Sequence, residues 1–155
     1  MLLLFLRHAD AEPFSESDFT RALTPKGVDQ AKRAGKFLST HDLTPDLIFT
    51  SPLVRARETA NLVAKAVKLE PSILECLACG MDLDTLMAEL RPYSAKASIL
   101  VVGHEPDFSH AIAELLGMPN PSQLYIRKAS LTAIELFVTD EPTGRLQFSI
   151  PAKFM

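Results

Sequence analysis

The stretch LLLFLRHAD, Leu2 to Asp10, sets five apolar residues in a row directly against an arginine and a histidine. An apolar run this short with no alternation reads as a strand buried on both faces, the kind found inside a parallel sheet. It is too short for a transmembrane helix or a signal-peptide core. It also lacks a preceding basic segment and meets Arg7 without a small-residue cleavage site, so a cytoplasmic chain is expected. A core strand that ends in Arg7 and His8 raises the question of what those two groups serve.

The rest of the chain supplies a fold in which strand ends matter. Asp10 to Leu23 reads as a polar loop, and Thr24-Pro25 opens a helix with threonine as N-cap and proline at the first helical position. Val28, Ala31, Gly35 and Leu38 mark its buried face. Asp46 to Thr50 reads as a second strand. Ser51-Pro52 repeats the cap-plus-proline device for a helix reaching about Val67, with Leu62, Val63 and Ala66 inward. Ser72 to Leu74 is a candidate short strand, and Leu83, Leu86, Met87 and Leu90 keep helical spacing until Pro92. Ser98 to Val102 is a third strongly apolar strand, followed by Gly103-His104 and a helix from Pro106 to Leu116, stopped by Gly117. Phe108, Ile112, Leu115 and Leu116 form its inward face. Ser130 to Val138 and Leu146 to Ile150, joined across TDEPTGR, predict an antiparallel edge hairpin. Strands separated by helices need crossovers, so the first three apolar strands should be parallel. The expected class is α/β: one domain over residues 1–155, a three-layer sandwich with a mainly parallel sheet.

In an open α/β sheet ligands bind beyond the carboxyl ends of the strands. Those ends deliver Arg7 and His8 from the first strand, a helix start carrying Arg55 from the second, and Gly103-His104 from the third. Arg55 falls on the buried side of its helix because Thr59, Leu62 and Ala66 continue its face at four, seven and eleven residues on. Two guanidinium groups in one crevice, with no matching acidic motif, fit a tetrahedral dianion, since the planar fork pairs two phosphate oxygens at once. A neutral histidine among those donors can attack phosphorus if its other nitrogen holds a proton on a carbonyl.

Several function classes fall away on composition. A net charge of −3 and a pI near 5.8, with no block of like charge, give no footprint for nucleic acid or an anionic membrane. Cys76 and Cys79 form a lone C-x-x-C without a second cysteine pair, and read as two reduced thiols. His41 and His110 read as surface or packing residues. Glu12, Glu16 and Asp18 read as a solvated loop, in which Ser15 and Ser17 carry no nucleophile signature. A metal held by His8 and His104 would be repelled by the arginines, so neither metal nor cofactor is expected.

LRHAD, TSPLVRARET and LVVGHEP, in that order between Leu2 and about Leu116, resemble the three motifs of the histidine phosphatase superfamily, whose fold is also called phosphoglycerate mutase-like. RALTPKG and the CGMD at Cys79 resemble its compact SixA-type phosphohistidine phosphatases. The resemblance implies that His8 is the nucleophile that becomes phosphorylated and that Arg7, Arg55 and His104 surround the phosphoryl oxygens. Arg21, in TRALTPKG, is implied as a further phosphate ligand. Ala9 stands where the motif often has glycine, which keeps the carbonyl beside His8 but disfavours positive φ. Larger members carry a glutamate general acid; here Glu75, Asp82, Glu105 and Asp107 are the candidates, none of them assigned. The segment Lys68 to Ala97 leaves no room for a large cap. The expected activity is therefore a cofactor-independent phosphatase acting on phosphohistidine in a protein. A small phosphate ester is the alternative substrate, and a non-catalytic module that binds phosphoproteins is the alternative class.

Overall fold

The computed structural model describes residues 1–14, 16–137 and 142–155. Ser15, Val138 and residues 139–141 of the TDEPTGR connection lie outside the described residues. Six strands, β1 (Leu2–Arg7), β2 (Leu47–Thr50), β3 (Pro71–Ile73), β4 (Ser98–Gly103), β5 (Leu131–Phe137) and β6 (Thr143–Ile150), form one sheet in the order β3-β2-β4-β1-β5-β6. The first four strands of that order run parallel, while β5 and β6 add antiparallel pairs at one edge. Helices α1 (Pro25–Thr40), α2 (Val54–Val67), α3 (Leu83–Leu90) and α4 (Asp107–Leu115) complete the α/β sandwich.

The unbroken apolar runs are explained by burial on both sides. Side chains alternate across a strand, so Leu3 and Phe5 join Phe49, Ile99 and Val101 on one face, where Leu83, Leu86 and Leu90 of α3 and Phe108 and Ile112 of α4 cover them. Leu4 and Leu6 join Ile48, Leu100 and Val102 on the other, beneath Ala34 and Leu38 of α1 and Ala56, Ala60 and Val63 of α2. Phe5 and Phe108 meet edge to face at 5.1 Å, an arrangement that adds about 0.5–1.5 kcal/mol beyond the area buried.

Helix ends depart from the sequence expectation in ways that bear on the site. Thr24 caps α1 as expected, its hydroxyl accepting from the Gly27 amide at 3.0 Å, but Val28 is only half buried. α2 starts at Val54, two residues after Pro52, and its N-cap Leu53 has no side-chain cap. The Ser51 hydroxyl accepts from the Leu53 amide at 3.3 Å instead of capping α2. The buried stripe of α2 is Arg55, Ala56, Thr59, Ala60, Val63, Ala64 and Val67, whereas Ala66 is exposed and Leu62 half buried. The stripe that enters the sheet is centred on Ala60 and Val63, so Arg55 and Thr59 stand at its margin, as do the less buried Leu62 and Ala66. Asp46 is not part of β2; its carboxylate accepts from the Ala97 and Ser98 amides at 2.7 and 3.0 Å and so ties the entry of β2 to that of β4. β3 begins at Pro71 rather than Ser72, and Pro106 precedes α4 as its N-cap residue, with Leu116 just past the end.

Two glycines are required by close approach. The ring of Phe108 lies where a Cβ on Gly103 would meet it at 2.7–2.8 Å, and a Cβ on Gly27 would run into the Asp10 carbonyl. The second contact holds the loop after β1 against the start of α1, where Thr24 donates from its amide to the same Asp10 oxygen at 3.0 Å. Gly27→Ala is expected to destabilise the fold by about 1–3 kcal/mol, the range for overpacking a filled site. A chain of this size loses about 2–4 °C of Tm per kcal/mol. A thermal melt showing no loss would remove this account of the glycine.

Candidate active site

Register brings the expected residues to one place. In the parallel β1–β4 ladder Arg7 pairs with Gly103 and in the β2–β4 ladder Thr50 pairs with Val102. One residue further on, His8, Ser51 and His104 therefore emerge together at the carboxyl edge. The His8 amide donates to the Gly103 carbonyl at 3.0 Å and the Ser51 amide to the Val102 carbonyl at 2.9 Å, extending both ladders to the site itself. The imidazole centroids of His8 and His104 lie 5.2 Å apart. Arg55, His8 and His104 are 3, 6 and 2 % exposed.

His8 is held in one orientation. Its Nδ1 lies 2.8 Å from the Ala9 carbonyl oxygen, which can only accept, so Nδ1 carries the proton and Nε2 has the free lone pair. Arg55 Nε donates to that Nε2 at 3.3 Å. The Ala9 amide donates to Thr59 Oγ1 at 3.0 Å, and the Thr59 hydroxyl donates to the Arg55 carbonyl at 2.7 Å, so α2 fixes the peptide that fixes the ring. Ala9 does not have a positive φ, and alanine meets the local backbone without strain. The left-handed residue is Ala129 instead, at φ 55°, whose amide lies 3.1 and 3.2 Å from the Arg7 and His8 carbonyls.

Arg7 donates from its terminal nitrogen to the Ile126 carbonyl at 2.7 Å, while its Nε is buried without a partner among the described residues. His104 Nε2 lies 2.8 Å from Ser51 Oγ, and its Nδ1 is likewise buried and unpartnered. Ser51 thus orients His104, a role hidden by the expectation that it caps a helix. Arg21 joins the cluster through Asp18. The Asp18 carboxylate, on a short 3-10 turn (Asp18–Thr20), contacts Arg21 Nε at 2.8 Å and Arg55 at 3.1 Å, and its backbone carbonyl accepts from Arg55 at 2.8 Å. Asp18 was read as part of a solvated loop. Its side chain is 64 % exposed, yet it bridges two of the site's guanidinium groups, a link that composition and periodicity do not encode. The Glu58 carboxylate accepts from the Leu23 amide at 2.7 Å and anchors the base of that loop.

The four candidate acids separate clearly. Glu75 is exposed and Asp82 caps α3 by accepting from the Thr85 amide at 2.7 Å. Asp107 accepts from the Gly80 amide at 2.8 Å. Glu105 is half buried, and burial raises its carboxyl above the usual range despite the opposing charge of Arg7. Cys79 is near the site, its sulfur 3.9 Å from Arg55, and burial raises its thiol, as it does that of Cys76. Both cysteines are free. His41 and His110 lie on the surface, away from this cluster. Among the described residues no helix is long and apolar enough to cross a membrane.

Electrostatics keep both site histidines neutral. Burial, then the charges of His104, Arg55 and Arg7, push His8 down to about 3 against the pull of the Ala9 carbonyl. Burial and the neighbouring arginines take His104 to about 4. For Asp18, burial is outweighed by Arg55 and Arg21, which lower its carboxyl.

These shifts fix the sign of an acid effect. The unfolded chain takes up protons on both imidazoles near pH 6.5 and the folded chain does not, so their contribution to stability is complete above about 6.5. It is lost as pH falls toward about 4 and then about 3. Urea midpoints are expected to drop steadily from about pH 6.5 to 4, less steeply in His8→Asn. An equal slope in that variant would contradict a buried neutral His8.

Residues 3–78 match the histidine phosphatase superfamily (branch 1). Phosphohistidine phosphatase SixA of Escherichia coli (strain K12) is 30 % identical over 120 residues, 74 % of this chain and 74 % of that protein. A SixA homolog of Haemophilus influenzae is 33 % identical over 136 residues, 81 % of this chain and 83 % of its own. The structure of the protein histidine phosphatase SixA complexed with tungstate superimposes with a TM-score of 0.89 at 23 % identity over 99 % of both chains. With the sheet order and the relatives in agreement, the chain belongs to the histidine phosphatase superfamily, in its compact SixA-type form.

Proposed function

We propose that this phosphatase removes the phosphoryl group from phosphohistidine in a protein through a covalent intermediate on His8. The observation that carries the reading is the 2.8 Å contact of His8 Nδ1 with the Ala9 carbonyl, which commits the ring to the tautomer with a nucleophilic Nε2. Nε2 attacks phosphorus in line, the P–N bond to the substrate breaks, and its electron pair goes to the departing imidazole nitrogen, which takes a proton. The positive charge that develops on His8 is met by the Ala9 carbonyl. Arg7 Nε and His104 Nδ1, both lacking protein partners among the described residues, are free to donate to equatorial oxygens. Arg55 moves its donor from Nε2 to a phosphoryl oxygen as the substrate enters, and Arg21 adds charge from the rim. Water then attacks phosphorus, the P–Nε2 bond breaks, and phosphate leaves with neutral His8 restored. Glu105, whose carboxyl is raised by burial and whose Oε1 is buried without a partner among the described residues, is the candidate of the four for holding a proton in these exchanges.

The two SixA relatives support the substrate, and the tetrahedral tungstate of the SixA complex suits the donor set gathered here. Residues 68–97 build β3, two 3-10 turns and α3 against the core, which supports a single domain without a large cap.

His8→Ala is expected to abolish turnover, and His104→Ala to lower it about 10²–10³-fold, the scale for removing one oxyanion donor, with the fold retained. After brief incubation with a labelled phosphodonor and rapid alkaline quenching, peptide mapping should place the label on His8. Label on His104 would reverse the two roles, and label on serine, aspartate or cysteine would end the proposal. Turnover should also persist in excess EDTA, because guanidinium groups neutralise the phosphate. Loss restored by one divalent metal would refute that part of the mechanism.

A further inference from the structure

A second feature lies beside the site and is not used by the chemistry. A groove of about 440 Å³ opens from Arg7, between the start of α1, the segment leading into β5 and the turn after β6. Its walls carry Arg7, Lys26, Arg127, Lys128 and Lys153 against a single carboxylate, Asp10. The whole chain has a net charge of −3, so this concentration of cations runs against the balance of the molecule. Asp10 is already engaged: its carboxylate binds Lys128 Nζ at 2.7 Å and accepts from the Thr24 hydroxyl at 2.8 Å. Lys26, Arg127 and Lys153 are exposed and form no ion pair among the described residues. The Arg127 guanidinium lies over the ring of Tyr125 at 5.1 Å and the Lys153 ammonium over that of Phe154 at 4.5 Å, contacts that do not neutralise the charge.

We infer that this groove docks an acidic polypeptide segment flanking the phosphorylated residue of the substrate; the inference rests on the phosphohistidine phosphatase reading above. A small anion is held by convergent, desolvated donors. Here the three unpaired cations stand in water on three separate segments, an arrangement that suits carboxylates spread along a chain. Tyr125, 77 % exposed, and Phe154, 69 % exposed, add apolar contact at the rim. Because Arg7 belongs both to the groove and to the site, a segment lying along Lys26, Arg127 and Lys153 leads its phosphoryl group toward His8. Exposed charges of this kind act mainly on encounter, and salt screens them over about 8 Å at physiological ionic strength.

The test uses short synthetic peptides bearing one phosphohistidine, one flanked by Asp and Glu and one by Lys, together with free phosphohistidine. The enzymes are the wild type, the charge-reversed triple variant Lys26→Glu, Arg127→Glu, Lys153→Glu, and the neutral Gln triple at the same positions, which guards against misfolding by charge reversal. For the wild type at low salt, kcat/KM should favour the acidic over the basic peptide by about tenfold or more, and the gap should close as salt rises. The Gln variant should lose the preference and the Glu variant invert it, both with free phosphohistidine turnover within about twofold of wild type. Equal turnover of both peptides and free phosphohistidine by the wild type would overturn the groove while leaving the phosphohistidine reading intact. An equal fall on every substrate in the Gln variant would also overturn it. Turnover of an aryl phosphate but of no phosphohistidine probe would sink the reading itself, and the groove with it.

Discussion

The parallel pairing of β1 with β4 is the constraint on which the site depends. It sets Arg7 opposite Gly103, and the amide of His8 continues the ladder by donating to the Gly103 carbonyl. Side chains change face with every residue of a strand, so a slip of one position would carry Arg7 and His8 to the wrong sides of the sheet. The two-sided core guards against that slip. Leu3 and Phe5 must meet one pair of helices while Leu4 and Leu6 meet the other, and α1 with α2, α3 with α4, present different surfaces to receive them. The geometry of two imidazoles is thus set by leucine and phenylalanine packing several residues away.

Placing those imidazoles among arginines has an energetic logic of its own. Burial and positive neighbours both disfavour protonation, so the histidines remain uncharged while the guanidinium groups supply the field. A lysine in place of Arg55 would supply charge but not the fork that reaches His8 Nε2, the Asp18 carboxylate and the Asp18 carbonyl from one side chain. Thr59, one turn along α2, serves the same end by tying the Ala9 peptide to the helix that presents Arg55.

Much of this is written locally in the chain. The strands of the parallel core are legible because apolar runs bounded by polar signals have few other uses, and the three strand ends name His8, Arg55 and His104 without knowledge of their distances. At Ser51-Pro52 the cap-plus-proline pattern is satisfied in composition while the backbone delays the helix to Val54, and the Ser51 hydroxyl takes the Leu53 amide and faces His104. Asp18 was illegible in a different sense. It contacts Arg55 across 37 positions of sequence, and nothing in a polar loop distinguishes the one carboxylate that folds back from those that stay in water. The basic groove is hidden for that reason too: its cations come from residues 7, 26, 127, 128 and 153, and no window of sequence contains enough of them to register as a cluster.

Asp18 has a consequence for turnover as a cycle. Its carboxylate already engages two guanidinium groups, so an arriving phosphoryl group competes with an internal anion for Arg21 and Arg55. The net gain on binding is the difference between two sets of charge-assisted contacts, which is smaller than the donor count alone implies. The same exchange works in reverse at the end of the reaction. Inorganic phosphate leaves a site whose arginines have a tethered carboxylate beside them at high effective concentration, and the Asp18 contacts favour its departure.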